Sequence, residues 1–191
     1  ETLPMTYAGW EVKDRVPSNP EDFVKIERAF LDGNPWLRDN FDFNAYKGKE
    51  VLEIGVGSGC ASCLFAKGGA NVTGIDITRQ AIGLASKNAH VQGLSNTRFE
   101  QMDAEKMTFP DNSFDHVFTW GVLHHSQKTE DALAHVGRVL KPGGTGLIMV
   151  YHAGSIRYWV RGMQYLFLKG NIFRGYNMQS VQGLAPDGYY Q

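Results

Sequence analysis

A glycine-rich turn preceded by an acidic residue is the stretch of this sequence with the clearest chemical meaning. Glu53 lies in the otherwise apolar run 51–54, and Gly55, Gly57 and Gly59 follow at alternate positions. A short apolar run, a glycine turn and a helical pattern of small residues are typical of the opening of a nucleotide-binding unit. The pattern therefore predicts a ligand site at the end of the first strand.

The spacing of the glycines separates two classes of ligand. A dinucleotide-binding turn has the pattern G-x-G-x-x-G, in which the third glycine lets the helix pack closely on the strand. Here Cys60 occupies that third position, and the pattern is G-x-G-x-G. The Glu53 carboxylate is a poor neighbour for a pyrophosphate but a good one for an ammonium or sulfonium group. An NAD-dependent oxidoreductase is therefore the weaker alternative.

Further motifs follow this turn in a fixed order over residues 50–151. Asp76 ends the second predicted strand, Asp103 follows the third, residues 112–125 form the fourth strand and its exit, and residues 138–144 read R-V-L-K-P-G-G. Residues 141–144 are the predicted turn before a fifth strand from Thr145 to Tyr151. In this order the motifs resemble those of the class I methyltransferases that depend on S-adenosylmethionine (SAM) and act on small molecules. The resemblance implies an α/β, Rossmann-like, doubly wound parallel sheet in the order 3-2-1-4-5. It also implies transfer of a methyl group from SAM, leaving S-adenosylhomocysteine, by in-line displacement.

Two acids are expected to hold SAM. Asp76 lies about 20 residues beyond the glycine turn, where a carboxylate can accept hydrogen bonds from both hydroxyls of a ribose. The compatible alternative is that Asp76 caps the helix that begins near Thr78. For Asp103, the resemblance implies a contact with the adenine amino group, and the alternative is a solvated loop acid. The full set of expected cofactor-binding residues is Glu53, Gly55, Val56, Gly57, Gly59, Asp76, Ile77, Asp103, Ala104 and Trp120.

In-line methyl transfer needs little activation of the leaving group by a side chain, because the sulfonium departs as a neutral thioether. A general base is needed only when the acceptor carries a proton of high pKa. His124, His125 and Tyr151 lie near the predicted ends of strands four and five and are weak candidates for that base. A histidine that merely closes the pocket wall is the stronger interpretation, so no catalytic base is assigned.

The composition argues against several other functions. A net charge of −1 over 191 residues gives no electrostatic footprint for nucleic acid. The two cysteines, Cys60 and Cys63, cannot build a disulfide framework and are expected to fill the core, and no metal site is predicted. No apolar run reaches the length of a membrane span and no signal peptide opens the chain, so a cytoplasmic location is expected.

We expect one domain over residues 1–191, in three parts. Residues 1–49 form a helical N-terminal cap segment, which covers either the ligand cleft or only the sheet, and its helix starts near Pro20. Residues 50–151 form the SAM-binding core. Residues 152–191 form a helical and irregular segment, and the sixth and seventh strands usual in the family are expected to be missing.

The last helical pattern, from Ser155 to Lys169, has one strongly apolar face flanked by basic residues. We expect this face to pack on the sheet edge or on a second copy, giving a homodimer, and to help to wall an apolar pocket for the acceptor. The basic residues would also suit an anionic membrane surface, although the helix is simply explained as core. If the short C-terminus is native, a non-catalytic SAM-binding or scaffold domain is the alternative function.

Overall fold

The protein forms a five-stranded parallel sheet with helices on both faces. The computed structural model describes residue 17 and residues 19–150 and 156–177. The strands are β1 (Glu50–Ile54), β2 (Asn71–Asp76), β3 (Thr97–Gln101), β4 (Phe114–Trp120) and β5 (Leu140–Met149). The helices are α1 (Pro20–Gly33), α2 (Pro35–Asn40), α3 (Cys60–Lys67), α4 (Arg79–Val91), α5 (Thr129–Val139) and α6 (Ile156–Met163). The strand order β3-β2-β1-β4-β5 confirms the predicted α/β class and topology.

Strand β1 lies at the centre of the sheet, and apolar side chains leave it on both faces. Val51 belongs to a buried cluster with residues of α1 and α3, whereas Leu52 belongs to a second cluster with residues of α5. Along β1, Ile54 is in register with Ile75 of β2 and with Thr119 of β4. Because all five strands run parallel, their carboxyl ends meet at one edge of the sheet, where open α/β folds bind ligands.

The N-terminal helices follow from local capping signals. Helix α1 begins at the predicted proline, and the Asn19 side chain caps it by accepting a hydrogen bond from the Asp22 N–H at 2.9 Å. The segment between α1 and β1 contains a further helix, since Pro35 opens the short helix α2 and Leu37 of that helix is buried. The apolar face of α1 is buried in the cluster on the α3 side of the sheet.

Strand β5 begins earlier than the sequence predicted. The segment 141–144 was expected to be a turn before a strand from Thr145, but β5 already starts at Leu140. The pairing with β4 shifts register between Leu140 and Thr145, so these four residues form a bulge within the strand. Lys141 Nζ donates to the Asp115 carboxylate of β4 at 2.8 Å, which holds the bulge against its neighbour.

The C-terminal part of the described chain is helical, as predicted. Helix α6 continues into a π-helix over Gln164–Leu168, and a 3-10 turn follows over Asn171–Arg174. The predicted cap, Ser155, lies outside the described residues. Among the described residues, no helix is both long enough and apolar enough to cross a bilayer.

A titratable side chain, His116 of β4, is buried inside the sheet layer at 1% exposure. Its Nδ1 lies 2.8 Å from the Thr145 hydroxyl, and its ring centroid lies 4.2 Å from that of Tyr46. Burial lowers the pKa of His116 to about 4, which keeps the imidazole neutral in the folded protein at neutral pH.

We expect His116 to make the stability pH-dependent. In the unfolded chain His116 binds a proton below its usual pKa of about 6.5. In the folded chain it binds this proton only below about pH 4. The contribution of His116 to the free energy of unfolding should therefore fall as the pH is lowered through this window, by up to about 3 kcal/mol. Urea titrations of wild type and His116→Gln from pH 7 to pH 4 measure this contribution.

The matched control is His90→Gln, because His90 is exposed at the end of α4. It should keep the wild-type pH profile, whereas the profile of His116→Gln should diverge from that of wild type between pH 6.5 and pH 4 by the His116 contribution. Profiles that run parallel for wild type and His116→Gln would contradict the assignment.

Candidate functional site

A cleft of about 390 Å³ opens at the carboxyl ends of the central strands. The residues that line it come from the segments that follow β1, β2, β3 and β4. Five of the predicted cofactor-binding residues are among them: Gly55, Asp76, Ile77, Asp103 and Ala104. The structure therefore brings together residues that are up to 49 positions apart in the sequence, at the edge where the strand order places a ligand.

Two of the three glycines after β1 allow close packing of the turn. A Cβ at Gly55, whose φ is +81°, would lie 2.3 Å from a methyl carbon of Val122. A Cβ at Gly59, whose φ is +75°, would lie 2.9 Å from the backbone of Ala85 in α4. At Gly57 a Cβ would meet no atom within 4 Å. Gly55 and Gly59 thus seat the turn against its neighbours, and Gly57 leaves open space beside it.

Asp76 ties together the loops that follow β1 and β2. One carboxylate oxygen accepts hydrogen bonds from the Thr78 N–H and hydroxyl, both at 2.9 Å. The other oxygen accepts from the Gly57 N–H at 3.3 Å, near the long limit for such a bond. The helix-cap alternative for Asp76 is wrong, because the Thr78 hydroxyl caps α4 by accepting from the Ala81 N–H at 3.2 Å.

Asp103 occupies the loop after β3. One of its oxygens accepts a hydrogen bond from the Glu105 N–H at 2.9 Å and so begins the 3-10 turn Ala104–Lys106. A carboxylate can accept several hydrogen bonds, so Asp103 keeps capacity for a ligand. Sequence reasoning missed Glu105, which also lines the cleft and accepts from the Lys128 N–H at 2.9 Å. Its position two residues after Asp103 in the same loop was the available signal.

Glu53 lies on the other face of β1 from the cleft. Side chains alternate along a strand, so Ile54 lines the cleft while Glu53 points towards α3. The Ser62 hydroxyl donates to the Glu53 carboxyl, which is only 5% exposed. Burial, with a smaller contribution from the charge of Asp76, raises the pKa of Glu53 to about 8. In the unliganded protein at neutral pH this carboxyl is therefore mostly protonated.

Two more predicted residues, Trp120 and Val56, lie beside the cleft rather than in its wall. The Trp120 indole N–H donates to the Asn34 side-chain oxygen at 3.0 Å, and its ring is stacked on that of Phe118. This bond joins the end of β4 to the junction between α1 and α2. Val56 is buried against Ala81 and other residues of α4. The residues that line the cleft come from positions 54–127, and none of them belongs to α1 or α2.

The candidate bases have different environments. His125 lines the cleft, and the ring of His124 lies 4.1 Å from it, centroid to centroid. Burial, with a smaller contribution from the charge of His125, lowers the pKa of His124 to about 4. A group with so low a pKa is a weak proton acceptor at neutral pH. The third candidate, Tyr151, lies outside the described residues.

Cys60 and Cys63 are both buried and both free thiols. Burial raises the pKa of Cys60 to about 12 and raises that of Cys63 as well, so neither thiol readily forms a nucleophilic thiolate. In the part of the chain that the structure describes, no group of three or more His, Cys, Asp or Glu side chains is arranged to hold a metal ion.

Comparison with known proteins decides the family. A family model described as a methyltransferase domain matches residues 52–148, half of the chain. The chain belongs to the class I SAM-dependent methyltransferases. The match runs from β1 into β5, so this methyltransferase domain contains the glycine turn, both acids and the whole wall of the cleft.

Individual relatives match part of this methyltransferase chain in sequence. The uncharacterised methyltransferase YcgJ of Bacillus subtilis is 36% identical over 103 residues, which are 54% of this chain and 41% of YcgJ. The sterol 24-C-methyltransferase ERG6B of Gibberella zeae is 41% identical over 121 residues, 62% of this chain and 31% of ERG6B. The chain thus spans less than half of these relatives.

Solved structures show the same architecture. The crystal structure of the YcgJ protein, 33% identical, superposes with a TM-score of 0.51 over 53% of this chain and 45% of that one. The [4+2]-cyclase SpnF, 27% identical, superposes with a TM-score of 0.54 over 78% of this chain and 53% of that one.

We expect the buried Glu53 carboxyl of this methyltransferase to weaken the fold as the pH rises from about 4.5 to about 8. The unfolded carboxyl ionises near pH 4.5 and the folded one near pH 8, so the unfolded state holds fewer protons between them. The contribution of Glu53 to the free energy of unfolding should therefore fall as the pH rises, by about 3 kcal/mol between pH 5 and pH 8. Glu53→Gln, which cannot ionise, should lose this slope in urea titrations.

Glu130→Gln is the matched control, because Glu130 is exposed in the first turn of α5. It should leave the slope unchanged. A wild-type slope in Glu53→Gln would mean that the buried carboxyl titrates normally.

Proposed function

We propose that this domain binds SAM in the cleft at the carboxyl ends of the strands and transfers its methyl group to a small-molecule acceptor. The observation that carries the proposal is the convergence of Asp76, Asp103 and the Gly55 turn on one cleft of about 390 Å³. A cleft of this size is typical of small-molecule and cofactor sites.

The residues present fit a nucleoside with a diol and an exocyclic amine. The Asp76 oxygen held by the long 3.3 Å bond from the Gly57 N–H has acceptor capacity for ribose hydroxyls. Asp103 would accept from the adenine amino group while the Ala104 N–H donates to a ring nitrogen. Gly55 and Ile77 complete the wall between the two acids. Glu53, Val56, Gly59 and Trp120 would then act from outside the wall, by fixing the turn and the strand ends.

The reaction would rest on positioning. Bound SAM supplies a methyl group activated by a positive sulfur, so the leaving group is neutral. The chain's own residues would hold the nucleophile in line with that methyl group and keep water out. His125 is placed in the wall where an acceptor proton could be taken up, and the neutral His124 packs against it. The roles of His124, His125 and Tyr151 stay predictions.

The acceptor is proposed only as a small molecule. Relatives are named for different acceptors, a sterol in one case and phosphoethanolamine in another, a Caenorhabditis elegans protein 32% identical over 139 residues, 72% of this chain and 29% of that protein. The described part of this chain contains no feature that selects between such acceptors. Methylation at O, N or C is therefore left open. A homodimer, a cytoplasmic location and the lack of nucleic-acid binding also stay predictions.

The proposed function predicts that the chain binds SAM and S-adenosylhomocysteine and transfers a methyl group. Calorimetry should show both sulfur ligands binding more tightly than NAD. Intact-mass analysis of a panel of small acceptors incubated with SAM should show gains of one methyl group. Tighter binding of NAD than of either sulfur ligand would contradict the proposal. Binding of SAM without any methylated acceptor would support the non-catalytic alternative.

Asp76 gives the sharper test of the cofactor site. Asp76→Ala should weaken SAM binding by roughly 2–3 kcal/mol, the range for hydrogen bonds that involve a charged group. Asp76→Asn keeps one oxygen for Thr78 and should lie between wild type and Asp76→Ala. The control is Asp111→Ala. Asp111 is an exposed acid that forms an ion pair with Arg138 at 2.7 Å, and it is not among the residues that line the cleft. This variant should leave the affinity for SAM unchanged.

Thermal melting separates binding from folding in these variants. If Asp76→Ala lowers the SAM affinity and the melting temperature in proportion, Asp76 stabilises the loops after β1 and β2 and does not bind the ribose.

A further inference from the structure

The C-terminal helical unit, residues 156–177, carries a broad exposed apolar surface. Phe173 is 93% exposed and Leu168 is 82% exposed. We call the following set the α6 surface, because its members are large apolar side chains of this unit that are exposed. They are Trp159, Val160, Met163, Phe167, Leu168, Ile172 and Phe173. These seven side chains lie within 15 consecutive residues, and exposed apolar patches mark interaction surfaces in folded proteins.

This exposed surface coexists with a packed interior in the same unit. Leu166 and Asn171 are buried, and the Asn171 side-chain amide donates to the Tyr165 carbonyl oxygen at 2.9 Å. Met163 and Phe167, by contrast, are four residues apart and both face outward. The unit thus already has an inner side, and the α6 surface is a second, outer apolar side.

The charged residues of this unit are all basic. The unit contains Arg157, Arg161, Lys169 and Arg174, and the sequence has neither Asp nor Glu from position 132 to position 186. The chain as a whole has a net charge of −1, so these positive charges are concentrated locally. Lys169 places its ammonium 4.1 Å from the centre of the Tyr165 ring.

We propose that the α6 surface binds an anionic lipid membrane, with the unit lying in the plane of the headgroups. An interfacial helix needs an apolar face that enters the acyl boundary by about 5–10 Å and basic residues that meet anionic headgroups. The unit offers both, since Leu168 and Phe173 are exposed and each is followed directly in the sequence by a basic residue, Lys169 and Arg174. The helix is too short to span a bilayer, so the contact is with one surface.

Charge favours this occupant over a second copy of the chain. A two-fold interface brings the same patch of two copies together. Two α6 surfaces would then place like charges of Lys169 and Arg174 opposite each other, with no acid of the segment 132–186 to neutralise them. Like charges brought together in this way oppose association, whereas a membrane of anionic lipids supplies the opposite sign.

Vesicle co-sedimentation of the full chain tests the proposal. The probes are vesicles of phosphatidylcholine alone and of phosphatidylcholine with phosphatidylglycerol in equal parts. We expect the chain to sediment with the anionic vesicles and to remain in solution with the neutral ones. Raising the salt concentration should weaken the binding, because headgroup attraction is screened. No SAM is needed, so the outcome is independent of the proposed methyl transfer.

Two double variants separate the apolar and the basic contributions. Leu168→Ser with Phe173→Ser should abolish sedimentation with anionic vesicles. Lys169→Gln with Arg174→Gln should lower the partition coefficient about 25-fold, since each basic residue near an anionic surface contributes about fivefold. All four side chains are exposed, so the melting temperature should stay at the wild-type value.

The matched controls change the same kinds of residue elsewhere. Trp36→Ser removes an exposed apolar side chain from α2, and Lys25→Gln with Arg28→Gln removes two exposed charges from α1. Both should bind anionic vesicles as wild type does.

Three results would overturn the proposal. The first is no binding to anionic vesicles, and the second is equal binding to both vesicle types. The third is loss of binding in the controls as large as in the α6-surface variants. A different outcome would assign the surface to a second copy of the chain. In that case the wild-type protein binds no vesicles, and sedimentation velocity shows a dimer that dissociates in the Leu168→Ser, Phe173→Ser variant.

Discussion

The close approach of the turn after β1 to its neighbours is the constraint on which the site depends. Gly55 lies against Val122 at the exit of β4, and Gly59 lies against the backbone of Ala85 in α4. These two contacts fix the turn against the exit of β4, which also lines the cleft, and against α4, which follows the Asp76 loop. Any side chain at either position would push them apart, because backbone and branched side chains stand where a Cβ would go. Gly55 and Gly59 are therefore required for packing of the turn, and the ligand site depends on that packing.

The sequence allowed the fold and one side of the site to be predicted because both depend on local signals. An apolar run followed by glycines defines β1 and its turn, and an acid at the end of β2 marks the cleft. The face on which Glu53 lies was missed, because an acid in an apolar run gives no sign of which helix covers it. The bond between Asn34 and Trp120 was missed for a related reason. The partners are 86 residues apart, and only the folded chain brings them together.

The sheet contains two buried titratable groups with opposite effects. Glu53 is protonated and His116 is neutral, so both groups avoid charge inside the layer. His116 weakens the fold as the pH falls below about 6.5, and Glu53 weakens it as the pH rises above about 4.5, so the two effects oppose each other where their windows overlap. A central sheet that excludes charge in this way is consistent with the two apolar clusters on its faces.

The bulge in β5 bears on how the sheet edge meets other chains. In the described part of the chain, β5 pairs with β4 along one side and leaves the other side as an edge. An open edge is a template for the strands of another molecule, and regular, extended backbone is what such templating requires. Residues 141–144 interrupt that regularity, and Pro142 has no N–H to offer. The irregular segment therefore shortens the length of backbone on which cross-molecule β-aggregation could start.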